Sequence, residues 1–451
     1  MAESLYKCTV FAAVPLTNRL SRLEATMAQG SGVSRPVDVA MANAPRAEKL
    51  AELRARIQAV LERGGRSGLE PRPRVVDDAE LPFALERTPL GPLYVREIRL
   101  LPSHRTGHAS VLPSRDASSQ HLSLLALDPS LASCAPRRAL YVDTETTGLR
   151  GGTGTLAFLI GLAFWEDAVE GADASGGSTL VVEQLLLRSP GEEAPILERV
   201  AARIRAASVL VSFNGKAFDM PLLRTRFAMA RMTAPIEPPH LDLVHVARRI
   251  HKGSPGSCKL TALEERVLGF VREHDVPSGE VSGCYLHFLR TGDPRAIVGV
   301  AAHNAWDVVA MASLVGLYGE PLATSTLSAA DLVGMARTLF RAGAKGQAIQ
   351  AVDRAMERGA GKSALLARAE MHKGMGDRQR ALADFEAVAT GGDDPRARLE
   401  LAKLYEHFAK DPVRALQTCL SGTGESPLAA SRRRRRLERK IARASERCRG
   451  I

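Results

Sequence analysis

What this chain has little of narrows it first. Its six cysteines, Cys8, Cys134, Cys258, Cys284, Cys419 and Cys448, are scattered over 451 residues with no Cys-x-x-Cys pair. That excludes a cysteine-paired zinc motif and a disulfide framework, and it fits a reducing cytoplasm. Aromatic residues make up 4% of the chain, too few for a broad platform that stacks successive bases. The longest apolar run, Leu156 to Trp165, is shorter than the roughly 20 residues a membrane-spanning helix needs, so no membrane association is expected. The N-terminus lacks a compact apolar stretch followed by a cleavage site, and a secretion signal is not expected either.

What is present is ordinary for a globular protein: 45% apolar and 25% charged residues, over a length that predicts two or three domains. Lys and Arg outnumber Asp and Glu by 61 − 50 = +11, a balance that favours a polyanionic partner. Ser431 to Ile451 holds ten Lys/Arg and two Glu, +8 of that excess. This Arg-rich tail, residues 431–451, reads as a disordered nucleic-acid grip or as a solvated helix, since Leu437 and Ile441 are four apart.

Residues 1–80 read as mostly disordered, with a short helix over Ala47 to Glu62. Residues 85–135 alternate β-prone pieces with turn residues and form a β-rich lead-in. From 138 to 320 the order is three strands, then alternating helices and strands. The strands are Ala139–Thr144, Leu156–Glu166, Leu180–Leu187 and Ser208–Phe213. The helices are Ala194–Ala206, Met220–Arg231, Val244–His251, Leu260–Leu268, Cys284–Thr291 and Ala296–Leu317. That order predicts an α/β ribonuclease-H-like fold, a mixed central sheet flanked by helices. Residues 328–421 change character. Ala348, Ala381 and Ala415 recur in similar amphipathic contexts at spacings of 33 and 34 residues, which predicts all-α tetratricopeptide-like helical repeats.

The run Ala-Leu-Tyr-Val-Asp143-Thr-Glu145-Thr-Thr-Gly148-Leu149 carries the strongest chemical signal. Residues two apart on a strand point to the same face, so Asp143 and Glu145 share one volume. Two carboxylates held that close favour a hard divalent cation between them. Asp219 follows a strand and opens a helix, at the sheet edge where active sites gather or simply as a helix cap. His303 and Asp307 lie four apart on a largely apolar helix and share one of its faces. Asp242, in His-Leu-Asp-Leu, is a further candidate, more often a structural cap.

Together these segments resemble the DEDD exonuclease superfamily, and within it the YprB-like branch of ribonuclease-H-like domains. The resemblance covers roughly residues 85–320. It rests on Asp143-Thr-Glu145-Thr-Thr-Gly148-Leu149, Gly151-Gly-Thr-Gly154-Thr-Leu-Ala-Phe158-Leu-Ile-Gly161, Phe213-Asn-Gly-Lys216-Ala-Phe-Asp219, Ser257-Cys-Lys259-Leu and His303-Asn304-x-x-Asp307. It implies that Asp143, Glu145, Asp219 and Asp307 bind two divalent ions, Mg²⁺ or Mn²⁺, with His303 as the general base. It further implies substrate contacts from Thr146, Thr147, Gly148 and Leu149, with Asn214, Lys216, Lys259 and Asn304 as additional contacts. The chain departs from the histidine-type members in one respect. Their histidine stands five residues before the final aspartate, whereas here the gap is four, the spacing of the tyrosine-type members. One residue turns a helix by about 100°, so His303 stands where those members carry tyrosine.

The expectation is a metal-dependent 3′→5′ exonuclease acting on single-stranded DNA or RNA, with the repeats as a surface for a protein partner. Two rivals stand beside it: a structure-selective endonuclease on the same fold, and a non-catalytic nucleic-acid-binding adaptor.

Overall fold

Two strands, β1 (Ala84–Thr88) and β2 (Gly91–Leu100), open the computed structural model, which describes residues 81–148, 154–167 and 178–449. A small hairpin follows, β3 (Arg105–Thr106) and β4 (Ala109–Ser110), and then helix α1 (Ser119–Ala126), capped by the Ser118 side chain. β5 (Ala139–Thr146), β6 (Ala157–Glu166) and β7 (Thr179–Leu186) form a meander. Helix α2 (Ala194–Ala206), β8 (Val209–Ser212), α3 (Asp219–Met229), β9 (His240–Asp242) and α4 (Leu243–Ile250) come next. Then follow the short α5 (Leu260–Leu263), continued by a π-helical turn over Glu264–Leu268, α6 (Val281–Thr291) and the long α7 (Arg295–Tyr318).

The sheet has seven strands in the order β1-β2-β7-β6-β5-β8-β9. The pairs from β1 to β5 are antiparallel, and β5-β8 and β8-β9 are parallel. Its central strands are buried on both faces, which is why they read as continuous apolar runs rather than as alternation. Along β5 the side chains divide between two cores. Leu140 and Val142 pack with residues of α2, α3 and α6, and Ala139 and Tyr141 pack with α1, α4 and the body of α7. Asp143 and Glu145 continue the second alternation past its apolar end. The register slips between Glu145 and Thr146, a bulge of the kind that re-aims side chains beside active sites.

Within residues 85–135 lie strands β1 to β4; β2 pairs with β7 over Tyr94–Leu100 and so extends the main sheet, and 119–126 is helical. β9 was not foreseen, because three residues carry too little periodicity to announce a strand. α7 is long and apolar enough to cross a membrane by composition, but most of it is buried against the sheet, the signature of a core helix. The reading of residues 1–80, and residues 149–153 of the glycine-rich loop after β5, lie outside the described residues.

The C-terminal run is helical: α8 (Ala329–Arg341), α9 (Lys345–Glu357), α10 (Gly361–Met375), α11 (Arg378–Thr390), α12 (Pro395–Leu404), α13 (Pro412–Leu420) and α14 (Pro427–Arg449). Consecutive helices pack on one another, and Ala348, Ala381 and Ala415 are fully buried at those contacts. α8 also seals the sheet domain. His251 bonds Asp331 through Nδ1 at 2.7 Å and the Tyr318 hydroxyl through Nε2 at 2.8 Å. A Cβ at Gly334 would sit 1.9 Å from the Ile250 carbonyl oxygen, so α8 and α4 touch backbone to backbone. The basic tail is ordered as α14, which excludes the disordered reading for its described part.

Candidate active site

The end of β5 delivers Asp143 and Glu145, the start of α3 delivers Asp219, and the middle of α7 delivers His303 and Asp307. Asp219 is not the cap that a helix start suggests. The cap position is Phe218, and Asp219 Oδ1 accepts from Thr144 Oγ1 at 2.5 Å, tying α3 to β5. The capping role falls to Asp242, which accepts from the Val244 N–H at the start of α4. Its carboxylate also accepts from the N–H groups of Asn214 (2.7 Å) and Lys216 (3.2 Å), and so holds the loop that leads to Asp219. Asn214 has φ +73° there, a backbone conformation that asparagine tolerates better than most residues.

Glu145, His303 and Asp307 offer ligand atoms that all lie within 4.8 Å of one another. His303 Nε2 is 3.8 Å from Glu145 Oε1 and 3.6 Å from Asp307 Oδ2. The histidine therefore faces the same volume as the carboxylates, although the sequence pattern offered it only as a base. Its other nitrogen, Nδ1, is 2.6 Å from Asp275 Oδ1 and 3.2 Å from Arg272 Nη1; the closer Asp275 carboxylate favours a proton on Nδ1, which leaves Nε2 facing the site. Burial alone would lower the His303 pKa. The Asp275 hydrogen bond and the charges of Asp307 and Glu145 outweigh it, and the net shift is upward.

The carboxylates crowd one another. Burial, then the charges of Asp307, Glu145 and Asp219, hold Asp143 well above the usual carboxylate range. Glu145 is pushed up to about 7, chiefly by burial, against the favourable charge of His303. Asp219 is pushed up to about 6, again by burial, against the Thr144 hydrogen bond. Clustered hard oxygen donors that raise one another's pKa are the donor set a divalent cation relieves. The residues present therefore fit such an ion.

Several residues that complete this site were not read from the sequence. Arg272 reaches in with its side chain 4% exposed, donating to both Glu264 oxygens at 2.6 and 2.7 Å and to Asp307 Oδ1. Burial lowers its pKa, but Glu264 and Asp307 raise it further, and it stays charged. Glu264, buried in the π-helical turn, is nonetheless pushed up to about 7 by that burial. No spacing rule links 264 and 272 to 307. They meet only because α5 and the loop after it fold back onto α7.

Asn304 was expected among substrate contacts, and the structure gives it bonds within the protein. It is 0% exposed, with Nδ2 donating to Asp143 Oδ2 at 2.8 Å and Oδ1 accepting from Gln184 Nε2 at 2.9 Å. Its place on α7 turns it toward the sheet rather than toward solvent, so it orients a carboxylate. Gln184 in turn accepts from Arg96 Nη1 at 3.0 Å. Arg96, Gln184, Gly161 and Asp143 form one register row across β2, β7, β6 and β5.

The other expected contacts spread around the rim. The Thr146 hydroxyl bonds the Gly148 carbonyl, and the Thr147 hydroxyl accepts from Leu156 N–H, so both shape the strand end. Lys216 is exposed and 3.7 Å from Asp128, and Lys259 is exposed at the start of α5. Leu149 lies outside the described residues.

A model of the RNase_H superfamily matches residues 140–318. The "Uncharacterized protein YprB" of Bacillus subtilis (strain 168) is 30% identical over 314 residues, 67% of this chain and 73% of that protein. The chain belongs to the RNase_H superfamily. The matched span runs from the first residues of β5 to the last of α7, and it contains all five of the expected catalytic residues. Superfamily members of this nuclease-like fold use divalent metals, in keeping with the oxygen-rich donor set at the end of β5.

Proposed function

We propose that this protein is a metal-dependent 3′→5′ exonuclease acting on single-stranded nucleic acid. One observation carries the reading: Asp143, Glu145, Asp219, His303 and Asp307, distant in sequence, converge at one end of the sheet. Asp143, Glu145, Asp219 and Asp307 would hold two Mg²⁺ or Mn²⁺ ions, which when bound activate water and stabilise the leaving 3′ oxygen. The protein's own groups do the rest. Asn304 and Thr144 orient the carboxylates of Asp143 and Asp219. His303, with Nδ1–H held by Asp275, takes a proton from the attacking water at Nε2. Lys216 and Lys259, both exposed, hold phosphates as point charges. The outward arginines Arg432, Arg434, Arg435 and Arg439 of α14 add a salt-dependent grip on polyanions. The paired helices α8–α13, with their buried alanines, support the tetratricopeptide-like reading and a protein partner.

The test is degradation of 5′-labelled single-stranded DNA and RNA with Mg²⁺ or Mn²⁺, by wild type and Asp219→Ala. A ladder shortening from the 3′ end, dependent on metal and lost in the variant, is expected. Cleavage of circular or 3′-blocked substrate would move the assignment to an endonuclease. Binding with no cleavage in either metal would move it to an adaptor.

A further inference from the structure

A second concave site lies beside the carboxylates. A cavity of about 270 Å³ opens between the β2–β7 half of the sheet and the stripe of α7 next to the one that carries His303 and Asp307. Its size is close to the lower end of small-molecule sites, roughly 300–1,000 Å³. Val182 and neighbouring aliphatic residues form the floor, and Phe270 and Trp306 form a ring-lined wall, packed edge-on with centroids 6.3 Å apart. The charged groups are Arg96 and Arg105, with His104 and Thr106 as neutral polar neighbours, and among the described residues no carboxylate lines the cavity.

Arg96 is the informative member. It is half-buried, burial lowers its pKa, and among the described residues its one hydrogen bond is the Nη1 contact to neutral Gln184. Arg272, deeper at the neighbouring site, has Glu264 and Asp307 as counter-charges. A desolvated guanidinium without a counter-charge costs free energy unless an anion joins it. Arginine's planar fork suits phosphate oxygens, and an aromatic wall suits a flat ring.

We propose that this cavity binds a free nucleoside monophosphate, with its phosphate on Arg96 and Arg105 and its base against the Phe270–Trp306 wall. The ligand class rests on the nuclease reading above, which makes nucleoside monophosphates the product. The cavity itself does not depend on metal. Arg96 also begins the hydrogen-bonded row that ends on Asp143, so an occupied cavity is wired to a catalytic carboxylate.

The experiment titrates the full-length protein with adenosine and deoxyadenosine 5′-monophosphate in EDTA and follows tryptophan emission and heat. The chain has two tryptophans, and Trp165 is buried and does not line this cavity. The expected result is saturable quenching that disappears in Trp306→Phe. Affinity measured by heat should fall at least about tenfold in Arg96→Gln or in the surface variant Arg105→Gln, the scale of one lost charge-assisted contact, and stay within twofold in Asp219→Asn. Absence of saturable binding in EDTA overturns the proposal. So does binding that Asp219→Asn abolishes and both arginine variants leave intact, because that places the nucleotide on the carboxylates. Equal affinity for a tetranucleotide overturns the free-nucleotide assignment. A protein that binds nucleotide this way yet degrades no nucleic acid loses the nuclease reading and keeps the cavity.

Discussion

Gly161 lies directly across the β5–β6 ladder from Asp143, and the space a Cβ would fill there is taken by the Asn304 carboxamide: a Cβ at 161 would fall 2.2 Å from Asn304 Oδ1. Glycine is needed here for clearance, since its φ lies outside the left-handed region. The missing side chain lets α7 press a hydrogen-bonding group onto the sheet and onto Asp143. Gly161→Ala should therefore push Asn304 off both Gln184 and Asp143. Overpacking of this kind costs roughly 1–3 kcal/mol, readable as a lower urea midpoint. Divalent-metal affinity by calorimetry should fall about 10–100-fold, the usual effect of losing a group that orients a ligand. Adding Asn304→Ala relieves the clash, so stability should recover while metal affinity stays low. Unchanged metal affinity in both variants would remove Asn304 from any role at Asp143.

Arg272 is the internal counter-charge of the site. Replacing it by methionine leaves Glu264 buried beside Asp307 with no cation. Breaking a buried pair by removing one partner typically costs about 3–5 kcal/mol, and Arg272→Met should lose that much in chemical denaturation. Glu264→Gln in the same chain removes the stranded charge and should restore a large part of the loss. A loss below about 1 kcal/mol in Arg272→Met, with no gain from the second change, would show that the bridge does not form in solution.

Metal removal has a predictable pH signature. Without metal, Glu145 is held up at about 7 against an ordinary 4.5, and Asp219 at about 6 against 3.8. Groups raised in the folded state bind more protons there than in the unfolded chain. They favour folding below the unfolded values and lose that contribution as pH rises through the folded ones. Metal-free protein should therefore lose stability between about pH 4 and 7. A divalent ion at 100 times its dissociation constant adds about 2.7 kcal/mol and should reverse the trend near neutrality. Thermal melts in EDTA and in Mg²⁺ across this range check it. Asp219→Ala should show little metal stabilisation, and equal stabilisation of variant and wild type would place the ion elsewhere.

The sequence made the sheet and the donor set legible for physical reasons. Strands β5 to β8 are apolar runs of strand length between clear turns, and α2 and α7 carry helical periodicity long enough to bound. Asp143-x-Glu145 and His303-x-x-x-Asp307 are local patterns whose geometry follows from strand and helix repeats. What stayed hidden is what tertiary folding brings together. Arg272, Glu264 and Asp275 reach His303 and Asp307 from a segment with no clear periodicity. Asn304 shares a motif with His303, but only the packing of α7 on Gly161 shows that it faces the sheet. Asp219 and Asp242 both stand at helix starts, and the structure gives the cap to Asp242 and ties Asp219 to the Thr144 hydroxyl.

The Arg-rich C-terminus gathers basic side chains around one buried acid, and Arg433 also pairs with Glu425 at 2.8 Å. Glu406, buried at the end of the helix before α13, takes two hydrogen bonds at 2.8 Å from Arg436 and one at 2.7 Å from Lys440, with Arg433 at 3.7 Å. Leu437 sits fully buried between these contacts, so α14 docks through this apolar side chain beside the Glu406 clamp. The Arg436 and Lys440 bonds outweigh burial and hold Glu406 down at about 2. A lowered carboxylate contributes stability that is complete above its unfolded value and is lost as pH falls through the folded one. The stabilisation from Glu406 should therefore persist at about pH 6 and fade from about pH 4.5 toward 2. Glu406→Gln removes the charge at every pH and should cost roughly 1–3 kcal/mol near neutral pH, the range for a hydrogen bond to charged groups. The gap between variant and wild type should close as the pH drops. Trypsin gives an independent readout at neutral pH: the arginines of α14 should be cut faster in Glu406→Gln, while cleavage after Arg199, Arg203 and Arg205 of α2 stays unchanged. Equal trypsin rates at α14 in the two proteins would mean that Leu437, not the clamp, holds the helix down.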